Sequence, residues 1–327
     1  MSHTHRKPHG FVSEICNTKT NAMQKIIPHL WFNKEAKEAA HFYTSVFPES
    51  KITHSSVLRN TPSGDCDILG FELWNHKFMA ISAGPYFTIN PSISFIVNFD
   101  PLFFGSSEQA AREKIDEMWN KLIDGGTALM PINEYPFSKR FGWVKDKYGV
   151  SWQLMLTNPA GEQRPPIIPS LMFVKENCGK AEEAINYYLS VFKNSKPGNL
   201  RLRPKGMEPD KEGSVLFADC MLEGSWFAAM DSAHNHNFNF NEAVSLLVSC
   251  TDQAEIDHYW EKLSAVPQAE QCGWCKDKFG VSWQIASGEM QEMLSKGTQE
   301  QINRVTQAFM PMKKINIAKI QAAYEGK

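Results

Sequence analysis

Trp143–Leu154 reads WVKDKYGVSWQL, and Trp274–Ile285 reads WCKDKFGVSWQI. Two stretches this long and this rich in Trp mark an internal repeat, which decides the fold before any single element is assigned. The register holds upstream in the same order. Ile26–Phe32 (IIPHLWF) pairs with Ile167–Phe173 (IIPSLMF), and His41–Phe47 (HFYTSVF) with Asn186–Phe192 (NYYLSVF). Phe78–Ser82 (FMAIS) pairs with Phe227–Asp231 (FAAMD), and Ile93–Val97 (ISFIV) with Val244–Val248 (VSLLV). The chain is therefore a tandem of two homologous domains, 24–157 and 166–286. Residues 158–165 join them, a linker by their Pro and Gly content.

Within each copy one order of signals recurs. The β-like run Ile26–Phe32 precedes Ala36, Ala39, Ala40, Tyr43, Val46 and Phe47, which fall on one face of an amphipathic helix. Three strand signals follow, near Ile52–Arg59, Ile68–Trp74 and Phe78–Ser82, with hairpin turns at Asn75-His76 and, in the second copy, Glu223-Gly224. The unit then restarts with a strand at Ile93–Phe99, a helix at Glu108–Leu122 and strands to Leu156. Each copy thus holds two βαβββ modules and the chain four. Residues 1–23 are polar, lack periodicity and have no counterpart, so they are expected to be disordered or an upstream extension. Residues 287–327 form a C-terminal helical segment: Ile302, Val305, Ala308 and Phe309 share a helical face, and after Pro311 a second helix is expected over Met312–Tyr324.

Composition narrows the function. Of 327 residues, 34 are Lys or Arg and 36 Asp or Glu, a formal charge of −2 that gives no electrostatic hold on nucleic acid or an anionic membrane. Charge or Pro interrupts every apolar stretch before a spanning helix could form. Seven scattered Cys are an odd count that favours reduced thiols, hence a cytoplasmic location. The first ten residues lack the apolar region of a secretory signal.

The Ile-x-Pro-x-Leu-x-Phe opening, the helix ending in (Phe/Tyr)-Tyr-x-x-Val-Phe, the segment Cys272–Gln284 and the tail Met310–Ile320 together resemble the PhnB-like group of the vicinal oxygen chelate superfamily, relatives of glyoxalase I, extradiol dioxygenases and bleomycin-resistance proteins. The resemblance implies an α+β fold in which paired βαβββ modules curl into an open cup around a ligand. Two cups in tandem would mimic a dimer of single-domain relatives, giving an internal pseudo-dimer or a further homodimer of such chains. The group often carries the label 3-demethylubiquinone-9 3-methyltransferase; no Gly-x-Gly-x-Gly segment follows a first strand here to hold S-adenosylmethionine, and no cofactor is expected.

In metal-dependent relatives, one His, Gln or Glu on each of four strands holds a divalent ion. The matching position on the first strand is Pro28, so His29, one step along, is expected to point away from the cup. The second copy has Pro169 and Ser170. The remaining positions fall near Ala80 or Ser82 (Ala229 or Asp231), Ser94 (Ser245) and Gln153 (Gln284). Without a carboxylate this is a poor metal set, and a metal-free cup follows. The expected ligand-binding residues are Ser94, Gln153 and Ser245, Gln284 as neutral hydrogen-bonding groups, Trp152 and Trp283 as apolar walls, and Asp231 as the extra carboxylate of the second copy; packing within the core is the competing role for the repeated Trp and Gln.

Other motifs read as structural. Cys272 and Cys275 occupy positions filled by Phe141 and Val144 in the first copy, and strand residues three apart face opposite sides, so structural thiols are expected rather than a redox or zinc pair. Asp231, His234 and His236 lie in an Asn-rich loop context, and His3, His5 and His9 in the polar leader. Asp116 and Asp257 are read at the starts of helices, favoured there by the helix dipole. A metal-free binding protein of sequestering or resistance type fits the residues; a metal-assisted lyase, isomerase or dioxygenase using Asp231 or Gln284, and a catalytically inert interaction protein, are the alternatives.

Overall fold

A computed structural model describes residues 24–158 and 160–327; the expected disorder of residues 1–23 lies outside the described residues. The first module runs β1 (Ile26–Phe32), α1 (Ala36–Val46), β2 (Lys51–Thr61), β3 (Gly64–Leu73) and β4 (His76–Ser82). The second is β5 (Ile93–Phe99), α2 (Glu108–Ile123), β6 (Thr127–Tyr135), β7 (Ser138–Lys145) and β8 (Ser151–Leu156). After the linker come β9 (Ile167–Phe173), α3 (Ala181–Val191), β10 (Lys196–Leu202), β11 (Val215–Leu222) and β12 (Ser225–Asp231). The fourth module is β13 (Val244–Cys250), α4 (Gln253–Leu263), β14 (Trp274–Lys276) and β15 (Ser282–Ser287). Three helices close the chain: α5 (Gly288–Lys296), α6 (Gln299–Phe309) and α7 (Ile317–Glu325).

Local sequence explains most of this order. In α1 the residues on the expected face, Ala36, Ala39, Ala40, Tyr43 and Val46, are the buried ones. The β3–β4 hairpin turns on Trp74 and Asn75, and β11–β12 on Glu223 and Gly224, all at positive φ as a tight type I′ connection requires. Two departures stand out. The fourth module lacks the long arm that β6 gives the second, because a short turn at Pro267–Ala269 replaces it. In its place the tail folds back, with the Cys272 and Gly273 N–H groups donating to the carbonyls of Met312 and Lys313 at 2.6 and 2.8 Å.

The strands make two sheets, in the orders β14-β15-β13-β1-β4-β3-β2 and β10-β11-β12-β9-β5-β8-β7-β6. The expected class holds: α+β, tandem modules, C-terminal helices. The cups, expected one per repeat, are instead shared. The first sheet joins the first module to the fourth through antiparallel β1 and β13, and the second joins the second module to the third through β5 and β9. The register repeats, with Pro28 opposite Leu246 in one and Pro169 opposite Phe95 in the other, so the two halves are related as the subunits of a pseudo-dimer. Helices α1 to α4 pack on the sheet faces that turn toward each other, with Tyr43 of α1 against Trp152 of the second sheet and Tyr188 of α3 against Trp283 of the first, which leaves the opposite face of each sheet for its cup. No helix of the described residues is long and apolar enough to cross a membrane.

Candidate functional site

Residues paired across neighbouring strands share a face of the sheet. The pairs His54 with Gly70, Gly70 with Met79, Met79 with His29, and His29 with Ser245 therefore lay one row across the inside of the first cup. Gln284 lies on the same face, opposite Leu247 on one side and Trp274 on the other, and its Nε2 donates to Ser245 Oγ at 2.9 Å. His29 thus points into the cup and Pro28 away from it, the reverse of the expectation. The first strand is buried on both faces, so alternation of polarity gave no signal, and counting back from the helix slipped by one residue.

Of these residues His54, Met79, His29 and Gln284 floor a cavity of about 400 Å³. Trp31 and Trp274 form its wall, edge to face with ring centroids 6.0 Å apart, and Trp274 meets His29 in the same way at 5.8 Å. Helices α5 and α6 roof it with Met290, Leu294 and Phe309. Of the residues expected in this cup, Gln284 lines the cavity and Ser245 lies fully buried behind it; His29, Trp31, Trp274 and the roof were not anticipated.

The cavity carries no uncompensated charge. His29 is 2% exposed, burial lowers its pKa to about 3, and its Nδ1 has no hydrogen-bond partner. Burial also lowers the pKa of His54, whose ring lies across Gly70, where a Cβ would stand 2.2 Å from a ring carbon. The one carboxylate in the lining, Glu242, is paired with Lys276 at 2.8 Å. A divalent ion does not fit this row: the imidazoles of His29 and His54, a thioether, a hydroxyl and an amide offer no anionic ligand. Among the described residues no three His, Cys, Asp or Glu side chains converge on a common point.

The second cup repeats the polar pair, with Gln153 Nε2 donating to Ser94 Oγ at 2.8 Å. There Ser170 stands where the first cup has His29, and its Oγ is buried without a partner. The space above is filled. Ile96, Ile168, Trp226 and Ala228, all on the inner face, pack into a buried cluster with Met155, Phe217 and Met221 against it.

Three expected site residues face elsewhere. Trp152 and Trp283 neighbour the inward Gln residues along their strands, so they point to the helix side, fully buried, with their indole N–H groups donating to Asp146 and Asp277 at 2.8 Å. They are core residues. Asp231 also lies on the helix side, where Oδ1 accepts from the N–H groups of Gly179 and Ala181 at 2.7 and 3.2 Å and Oδ2 from Val215 at 2.9 Å. It ties down the start of α3 and takes no part in either cup. His236 bonds to Ser232 at 2.8 Å, and the cysteines Cys272 and Cys275 are free thiols whose pKa burial pushes up. Asp116 and Asp257 lie within helices rather than at their starts, paired with Arg140 and Lys314 at 2.6 Å each.

Residues 24–155 and 165–286 each match the family described as 3-demethylubiquinone-9 3-methyltransferase. Among solved structures, a PhnB protein from Bacillus cereus is 40% identical over 41% of this chain and 100% of its own, with a TM-score of 0.36. Glyoxalase I from Zea mays is 10% identical over 83% of this chain and 95% of its own, with a TM-score of 0.52, a likeness of fold. No curated protein matches the chain.

Proposed function

This chain belongs to the family described as 3-demethylubiquinone-9 3-methyltransferase, PhnB-like, and from that premise we propose that it is a small-molecule binding protein of the sequestering type, holding one uncharged, largely apolar molecule in its first cup. The observation that carries the reading is the cavity itself: about 400 Å³, walled by Trp31 and Trp274, roofed by apolar helices and floored by neutral hydrogen-bonding groups. An apolar body gains from leaving water, by roughly 25 cal/mol for each Å² buried. One polar substituent would meet His29 or Gln284. A net charge would have to shed its water with nothing of opposite sign to receive it, which costs several kcal/mol.

The family's name raises methyl transfer. S-adenosylmethionine brings a sulfonium, an ammonium and a carboxylate, and the cavity has no free charge to match any of them, so the residues do not fit it. No step is derived through that cofactor or through a metal.

The test uses two dyes of nearly equal shape, neutral phenylnaphthylamine and anionic anilinonaphthalene sulfonate. A ligand that binds only the folded state stabilises it by about 2.7 kcal/mol when a hundredfold above its dissociation constant. Phenylnaphthylamine is expected to raise the unfolding temperature and to fluoresce on binding, the sulfonate to do so at least tenfold more weakly, and S-adenosylmethionine to leave stability unchanged. Equal binding of the two dyes, or a response to S-adenosylmethionine alone, contradicts the reading.

A further inference from the structure

The second cup holds a carboxylate in its inner row at a position where the first cup has none. Asp219, on β11 opposite Ala228, occupies the row in which the first cup has Gly70, and its side chain is 4% exposed. Its carboxylate accepts from Arg164 Nε at 2.9 Å and Nη2 at 3.4 Å, and from the Asn199 backbone N–H at 2.5 Å. The guanidinium carbon of Arg164 lies 3.5 Å from the centroid of the Trp226 ring, which places the cation over the indole face. We propose that Asp219 and Trp226 form a guanidinium-binding site, and that Arg164, reaching in from the segment between the repeats, is its built-in ligand and seals the second cup.

Three further features are built around this arrangement. The segment carrying Arg164 is pinned by Asn98, whose Nδ2 donates to the Pro165 carbonyl and whose backbone N–H donates to that of Pro166, both at 2.8 Å. Strand β10 closes over the pair because Gly198 has no side chain: a Cβ there would stand 1.9 Å from Asp219 Oδ1 and 2.8 Å from the Trp226 ring. Beneath Trp226, the polar pair Ser94 and Gln153 and the unpartnered Ser170 Oγ are the groups of an open cup, here cut off from solvent. A bidentate carboxylate on one edge and an aromatic face below select a planar cation over a spherical one. The site is confined to this cup, since the first has Gly70 and Lys77 at the places of Asp219 and Trp226.

Arg164→Ala and the milder Arg164→Lys test the proposal by thermal unfolding of the full chain, with methylguanidinium or methylammonium chloride added at the same low millimolar concentration. Arg164→Ala is expected to unfold several degrees below the parent, because it leaves a buried carboxylate unpaired, and methylguanidinium to restore part of that loss while methylammonium does not. Neither salt should raise the parent, whose site is already filled. Arg164→Lys should fall between. If Arg164→Ala does not fold, the double variant Arg164→Met with Asp219→Asn removes both charges and is expected to fold, and methylguanidinium rescue is then read on Arg164→Lys. Unchanged stability in both single variants, or equal rescue by the two cations, overturns the proposal. The outcome does not depend on dye binding in the first cup, so either reading can fail while the other stands.

Discussion

At the scale of single residues, the buried acids and imidazoles make the folded chain respond to pH in opposite directions. Burial pushes the Asp146 carboxyl up from 3.8 to about 6 against the bonds it accepts from Trp152 and the backbone of Tyr148 and Val150, so in that interval the folded chain binds more protons than the unfolded one. Its contribution is fully present below the lower value and is lost as pH rises through about 6. His29 runs the other way: its pKa falls from 6.5 to about 3, so its neutral burial is favourable near neutrality and is lost as pH falls. Urea unfolding at pH 7 and pH 5 separates them. Relative to Asp146→Asn, the parent gains stability on acidification; relative to His29→Leu, it loses stability. His29→Leu also removes a buried nitrogen without a partner, and is expected to stabilise the ligand-free chain by about 1 kcal/mol at pH 7 while weakening dye binding. Absence of both slopes would show these groups to be hydrated.

At this scale the sequence was readable where a neighbour fixed the face. Gln153 and Gln284 facing the cups requires Trp152 and Trp283 to face the helices, so the wall assigned to those Trp residues belonged by alternation to Trp31 and Trp274. Asp231 was placed in the second cup as the carboxylate that the first copy lacks, whereas its oxygens are taken up by three backbone N–H groups on the helix side. His29 was missed because a strand buried on both faces carries no polarity signal.

At the scale of elements, helix existence and strand order followed from periodicity, and the exceptions have local causes. Helix α5 was not anticipated, since Ser287 ends β15 and also caps the helix, its Oγ accepting from the Met290 N–H at 3.0 Å, with no loop between to mark a boundary. Helix α6 begins with a capping box in which Thr298 and Gln301 satisfy each other's backbone groups. Thr298→Ala is expected to lower stability by about 1 kcal/mol in urea unfolding, the usual worth of such a cap. Because α6 touches β2 as well as the cavity, through Gln299 Nε2 donating to the Val57 carbonyl at 3.0 Å, the same change should weaken dye binding by loosening the roof. A stability loss with unaltered affinity would mean that the roof is not part of the site.

For the molecule as a whole, repeat and module were legible, but which modules share a sheet was not. Partner choice rests on contacts between distant segments, and the β1–β13 and β5–β9 edges are equally apolar, so nothing local distinguishes pairing within a repeat from pairing across repeats. The crossing has a consequence for dissection. Residues 24–157 and 166–327 expressed apart each lack half of both sheets, and are expected to self-associate alone and to form a one-to-one complex with dye binding when mixed. Light scattering of the separate and mixed fragments checks this; two well-behaved monomers that each bind dye would contradict it.

The cups are asymmetric, one roofed and hollow, the other packed with Trp226 beside Arg164, and the proposed function therefore predicts one ligand per chain. That number is measured by titrating phenylnaphthylamine into a protein concentration well above its dissociation constant, for the parent and for Leu294→Trp, which fills the roof of the first cup. The expected result is one dye per parent chain and none for the variant with its unfolding temperature kept; two per chain, or one retained in Leu294→Trp, would contradict a single site in the first cup.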